Sequence, residues 1–137
     1  MITTGDRNDE AMSARTTQSG SLLSRVIIST NDLERSLGIY RDVLGYQGDP
    51  TGDVAMLTNG SGPSVMLHQR PATPSDTAVA AAFVVADLDR TIEGWTSAGG
   101  SVLDPPASQP WGERMAVVRD TDGHIVCLID SEASAHR

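Results

Sequence analysis

The chain contains no lysine: all ten basic residues are arginine, against 18 Asp plus Glu, for a formal charge of −8. That absence excludes a Schiff-base lysine and a phosphate loop, whose cradle ends in Lys. The acidic balance argues against a nucleic-acid or membrane surface, since both call for clustered cations. The single cysteine, Cys127, excludes an internal disulfide and a cysteine-rich zinc site. Aromatics are few: Tyr40, Tyr46, Phe83, Trp95 and Trp111. No apolar run approaches the roughly 20 residues of a membrane-spanning helix. The opening residues lack the apolar centre of a secretion signal. These absences lead us to expect a cytoplasmic protein, and 137 residues suit a single domain with its own core.

Residues 1–21 are polar and aperiodic, and read as a disordered N-terminal tail, with 132–137 a short C-terminal one. The stretch between them, 22–131, repeats itself. A shift of 55 positions lays Asp32-Leu33-Glu34-Arg35-Ser36-Leu37 on Asp87-Leu88-Asp89-Arg90-Thr91-Ile92, Tyr40 on Trp95, and Gly45 on Gly100. Two copies are too few for a solenoid, so the chain reads as a duplicated module. Module one takes residues 22–70, a linker 71–77, and module two 78–131.

Each copy opens with a short apolar strand (25–29; 80–85). A helix follows, with Asn31 or Asp32, and then Asp87, placed to cap it. Asn31-x-x-Glu34 has capping-box spacing. Leu33, Leu37, Tyr40 and Leu44 form the apolar stripe of the first helix; Leu88, Ile92 and Trp95 form that of the second. Glycines end both helices. Strand-like segments come next: 54–57 and 64–68 around Asn59-Gly60-Ser61-Gly62, then 101–103, 115–119 and 125–129, the last two joined by Asp120-Thr121-Asp122-Gly123. The expectation is an α+β fold of two βαβββ modules.

Paired modules carrying Asp-Leu-Glu-Arg-Ser and Tyr-Arg-Asp-x-Leu-Gly-Tyr, then Pro110-Trp111-Gly112 and Asp120-x-Asp122-Gly123, resemble the vicinal oxygen chelate superfamily. That group holds glyoxalase I, bleomycin-resistance proteins and extradiol dioxygenases. The resemblance covers roughly residues 22–131 and implies eight strands curved into a cup, inside which the metal-using members hold their ion. It also implies four ligand positions, two per module, usually His or Glu. Here they fall on Arg25, Met66, Ala80 and Cys127. Arginine stays protonated and offers no lone pair, alanine offers nothing, and a thioether with one thiol suits only soft ions. No metal, cofactor or catalytic residue is therefore expected. A rearranged site would have to recruit His68, two residues beyond Met66 on the same strand face, or Glu113. His124, beside a turn, reads as a solvated surface residue, and His136 belongs to the tail. A His68/Cys127 nucleophilic pair would need the two modules to bring these residues together.

Period-two alternation from the ligand positions turns Arg25, Ile27, Ser29, Met66, His68, Ala80, Ala82, Val84, Ile125, Cys127 and Ile129 toward the cup. The opposite parity, Val26, Ile28, Val65, Leu67, Phe83, Val126 and Leu128 among it, packs under the helices. The expected ligand-binding set is Arg25, Ile27, Met66, His68, Ala80, Trp111, Arg114 and Cys127. Trp111 would stack on a flat ligand or cap the cup's edge; Arg114 would clamp an anion or pair with Glu113 or an Asp. Arg25 would bind an anionic or carbonyl group, or turn its charge out to water. The resemblance points to metal-independent binding of a small, partly apolar molecule in a homodimer, as in the bleomycin-resistance branch. The net charge would steer a cationic ligand. The alternative is a glyoxalase-like lyase, isomerase or dioxygenase with a rearranged divalent-metal site.

Overall fold

The computed structural model describes residues 20–131, so both expected tails lie almost wholly outside the described residues. Module one runs β1 (Arg25–Thr30), α1 (Leu33–Leu37) with a π-helical continuation (Gly38–Val43), β2 (Pro50–Thr51), β3 (Val54–Leu57) and β4 (Ser64–Gln69). Module two runs β5 (Ala81–Val85), α2 (Leu88–Ser97), β6 (Ser101–Ser108), β7 (Arg114–Arg119) and β8 (Ile125–Asp130). The two sheets have the same order, β1-β4-β3-β2 and β5-β8-β7-β6. In each, the first strand lies parallel to the last, and the remaining pairs are antiparallel. The expected α+β duplication is thus present, as two four-stranded sheets not closed into a barrel.

The repeat is visible down to single hydrogen bonds. Asp32 and Asp87 take the same extended conformation and cap their helices by accepting from the amides of Arg35 (3.3 Å) and Arg90 (3.1 Å). This satisfies amide donors that the first turn leaves without a helical partner. Asn31 does not cap. Its side chain instead exchanges hydrogen bonds with Ala72 of the linker.

Tyr40 and Trp95, equivalent in the repeat, are fully buried and meet edge to face at 6.4 Å. Phe83 packs on Tyr40 and Tyr46. One apolar cluster thus serves both modules, built from the strand parity expected to face the helices, with Ile28, Val65, Leu67, Val126 and Leu128 all in it.

Three local features depart from the sequence reading. The first helix does not run uniformly to Leu44: after Leu37 it widens, with the amide of Leu44 bonding back to the carbonyl of Ile39. This wider turn buries both neighbours Ile39 and Tyr40, which one face of a regular α-helix does not accommodate as well. The missing strand of module one is the two-residue β2, too short to leave a period. β6 extends to Ser108 through Pro105 and Pro106, with two register shifts; an edge strand tolerates prolines because its outer amides need no partner. No helix among the described residues is long and apolar enough to cross a membrane.

Candidate functional site

Each sheet has one face under the helices and one open face. On the first sheet the cross-strand neighbours of the open face are Ile27, Met66 and Met56 in one row, and Ser29, His68 and Val54 in the next. On the second, Ala82, Cys127 and Val117 form one row, and Val84, Ile129 and Met115 the other. Ile27, Ser29, Met66, His68, Ala82, Val84, Cys127 and Ile129 are the residues assigned to the cup by alternation, and β3 and β7 add Val54, Met56, Met115 and Val117. They are held open to a degree unusual for such side chains: Ile27 is 54% and Val84 69% exposed. Ile125 is the exception, buried at the end of β8.

Where β1 and β5 face each other, two clefts of about 410 Å³ each flank the seam and share Val26, Val79, Ala80 and Ala81. One reaches Ile27, Ser29, Tyr40 and His124 beside the linker, and the other Leu23, Tyr46, Ala82 and Phe83. Volumes of this size fit a small organic molecule.

The expected ligand-binding residues therefore separate. Ile27 and Ala80 line the clefts, while Met66 and His68 stand half-buried on the open face of the first sheet. Cys127 stands on the second, where burial pushes its thiol pKa up and so suppresses the nucleophilic thiolate. Arg25 begins β1 with its side chain exposed, and among the described residues it makes no ion pair or hydrogen bond.

Arg114 is placed elsewhere. It shares the parity of the buried Ala116 and Val118, so it lies on the helix-covered face. There it donates to Asp130 (3.2 Å) and to Asp89 in the first turn of α2 (3.1 Å), pairing with aspartates as one of its two expected roles required. Trp111 is exposed at the tip between β6 and β7, its indole donating to Glu113 at 2.8 Å.

The expectation for His124 is corrected. The turn Asp120–Gly123 folds back on module one, and His124 is half-buried with both ring nitrogens occupied. Nδ1 accepts from the Ser75 amide (3.2 Å), and Nε2 lies 2.8 Å from the Ser29 carbonyl, so the neutral Nε2–H tautomer fits both. Asp120, also buried, accepts from the amides of Asp122 and His124 (2.9 Å each) and from the Tyr40 hydroxyl (2.7 Å). Asp122 accepts from the backbone and side chain of Asn31. Together these bonds tie module two, the linker and β1 into one unit and form the wall of the first cleft. Sequence alone gave no sign of Tyr40 and His124 there, since their partners are 80 and 95 positions away.

The family model described as Glyoxalase/Bleomycin resistance protein/Dioxygenase superfamily matches residues 22–128. The chain belongs to that superfamily. Its fold is shared by a glyoxalase/bleomycin resistance protein from Albidiferax ferrireducens (23% identity, TM-score 0.68, covering 80% of this chain and 98% of that one). A glyoxalase-related enzyme from Fulvimarina pelagi aligns similarly (20%, TM-score 0.69, 82% and 89%), as does TioX from Micromonospora (27%, TM-score 0.58, 81% and 98%). No match is found among curated proteins.

Membership in the superfamily raises the question of its metal, and the residues present do not fit one at the usual positions. Arg25, Met66, Ala80 and Cys127 supply no carboxylate and no imidazole. Among the described residues, the one cluster of three potential ligands is Asp120, Asp122 and His124. Both imidazole nitrogens there are already engaged, so the ring has no free lone pair to give.

Proposed function

We propose that this superfamily member binds a small, partly apolar molecule without a metal, on the open sheet faces and the seam clefts beside them. The observation that carries this is the placement of Ile27, Met56, Met66, Val84 and Cys127. These apolar or sulfur-bearing side chains stay accessible on rigid strands, while the opposite parity fills a complete core. An exposed apolar surface backed by a rigid scaffold, with a few polar groups at its edge, has the anatomy of a ligand site. The ligand positions inherited from the superfamily carry residues of the wrong chemistry for a divalent ion, which separates this reading from the lyase, isomerase and dioxygenase alternative.

Two copies would close the site. Val79 is 86% and Leu23 70% exposed along the seam, and a second chain covering them would enclose the open faces. The proposal is thus a homodimeric, cytoplasmic binding protein that sequesters its ligand.

The test is elemental analysis of protein purified without an affinity tag, combined with a thermal-shift screen of apolar metabolites and antibiotics in EDTA. Stabilisation by a ligand in metal-free protein is the expected result. Stoichiometric Ni, Zn, Fe or Mn, lost in His68→Ala, would overturn the proposal.

A further inference from the structure

Charge is distributed unevenly between the two sides of module one. Its acids lie in α1, its π-helical continuation and the turns, as with Asp32, Glu34, Asp42 and Asp49. On the open face, positions 25, 27 and 29 of β1, 54 and 56 of β3, and 64, 66 and 68 of β4 hold no Asp or Glu at all. Instead that face carries Arg25 at one end, and Ser29, His68 and Arg70 at the other.

The second group is organised. Ser29 and His68 are direct cross-strand partners. Arg70 follows two residues after His68, bonds its own amide to the Thr30 carbonyl, and donates from Nε to Ser29 Oγ at 2.7 Å. This contact fixes the guanidinium beside the Ser29 hydroxyl, and among the described residues both terminal NH2 groups have no partner. Among the described residues, the arginines that find aspartates, Arg41 and Arg114, are elsewhere. Asp53, near Arg70 at the head of β3, has the opposite parity and makes no ion pair with it.

We infer that Arg70, with Ser29 and His68 beside it, is the anion subsite of the proposed binding face, and that the ligand is an amphipathic anion. Its carboxylate, sulfonate or phosphate is held by the free edge of the Arg70 guanidinium, which is suited to two-point contact with such groups. Its apolar body lies along Ile27, Met66 and Met56. Local charge thus selects the ligand against the sign of the whole chain, because the acids of module one lie in its helical segment and turns and not on the open face. This inference rests on the proposed binding function and adds the ligand's charge to it.

A matched pair of fluorescent probes tests it: anilinonaphthalene sulfonate, and phenylnaphthylamine, the same ring system without the sulfonate. Both are titrated into wild type, Arg70→Gln and Arg35→Gln, the last removing a charge from the helix side. Circular dichroism checks that the variants fold. The wild type is expected to bind the sulfonate about tenfold more tightly than the neutral probe, the gain of one charge-assisted contact. Arg70→Gln should erase that margin and leave the neutral probe unchanged, and Arg35→Gln should change neither. Equal affinity for the two probes in wild type, or an equal loss of sulfonate binding in Arg35→Gln, would overturn the anion subsite while leaving apolar binding intact. Failure of both probes to bind would overturn the binding function itself, and the subsite with it.

Discussion

Replacing Tyr40 with Phe removes one oxygen from the centre of the molecule and leaves the aromatic cluster in place. The ring is fully buried between Phe83 and Trp95, and its hydroxyl donates to Asp120 Oδ2 at 2.7 Å. The other carboxylate oxygen keeps its two amide donors, so Asp120 retains two of its three hydrogen bonds. A hydrogen bond to a charged acceptor contributes about 1.5–3 kcal/mol, and the orphaned oxygen sits where water reaches poorly. The expected loss is about 2 kcal/mol, which with a urea dependence of about 1–3 kcal/mol per molar lowers the unfolding midpoint by about 1 M at constant slope. Burial first, and then the Asp120 charge, raise the phenol pKa well above 10 in the folded protein. The native state thus holds this proton more tightly than the unfolded chain. Its contribution is complete below about pH 10 and falls away as pH rises toward the folded value, by up to about 1.4 kcal/mol per unit. Urea melts at pH 7 and at alkaline pH read both effects. A Tyr40→Phe midpoint within 0.2 M of wild type (roughly 0.4 kcal/mol at these slopes), or the same alkaline slope in both proteins, would refute this account of the module junction.

Other substitutions probe the remaining contacts. Gly100→Ala drives a methyl group into the Trp95 ring and to 2.8 Å from the Arg119 carbonyl, so a loss of about 2–3 kcal/mol is expected in the same assay; a neutral effect would mean that the junction of α2 and β6 yields easily. Arg114→Met leaves the buried Asp130 carboxylate with the Leu88 amide alone, and should lower stability by about 1–3 kcal/mol without altering probe binding. Weakened probe binding at unchanged stability would return Arg114 to the ligand site. Cys127, its thiol pKa raised by burial, should react with iodoacetamide at pH 8 more slowly than a free thiol and be protected further by a bound probe. Reaction at the free-thiol rate would place it outside the site.

The fold was legible because duplication repeats its own signals. The caps at Asp32 and Asp87, the equivalent pair Tyr40 and Trp95, and the alternation along β1, β4, β5 and β8 are local patterns that recur 55 positions apart. Alternation also separated the open face from the core, which is why Ile27, Met66, His68 and Cys127 appear on the open sheets. The gaps lie where pairing is long-range. Of the two roles the sequence left open for Arg114, the structure shows the pairing with aspartates, Asp89 and Asp130, on the face that its parity with Ala116 and Val118 selects. His124 is bound through contacts to Ser29 and Ser75 that no short-range pattern encodes. Arg70 was within reach of the same alternation, two positions past His68, but its bond to Ser29 depends on the parallel register of β1 and β4.

The central claim, binding on the open faces without a metal, is tested most directly by titrating phenylnaphthylamine into EDTA-treated wild type and Met66→Glu. The half-buried Met66 lies between Ile27 and Met56, so a carboxylate there charges the middle of the apolar row without entering the core. The account predicts saturable binding to the metal-free wild type, weakened at least about tenfold by Met66→Glu. Binding that requires added metal, or that survives Met66→Glu unchanged, would contradict it.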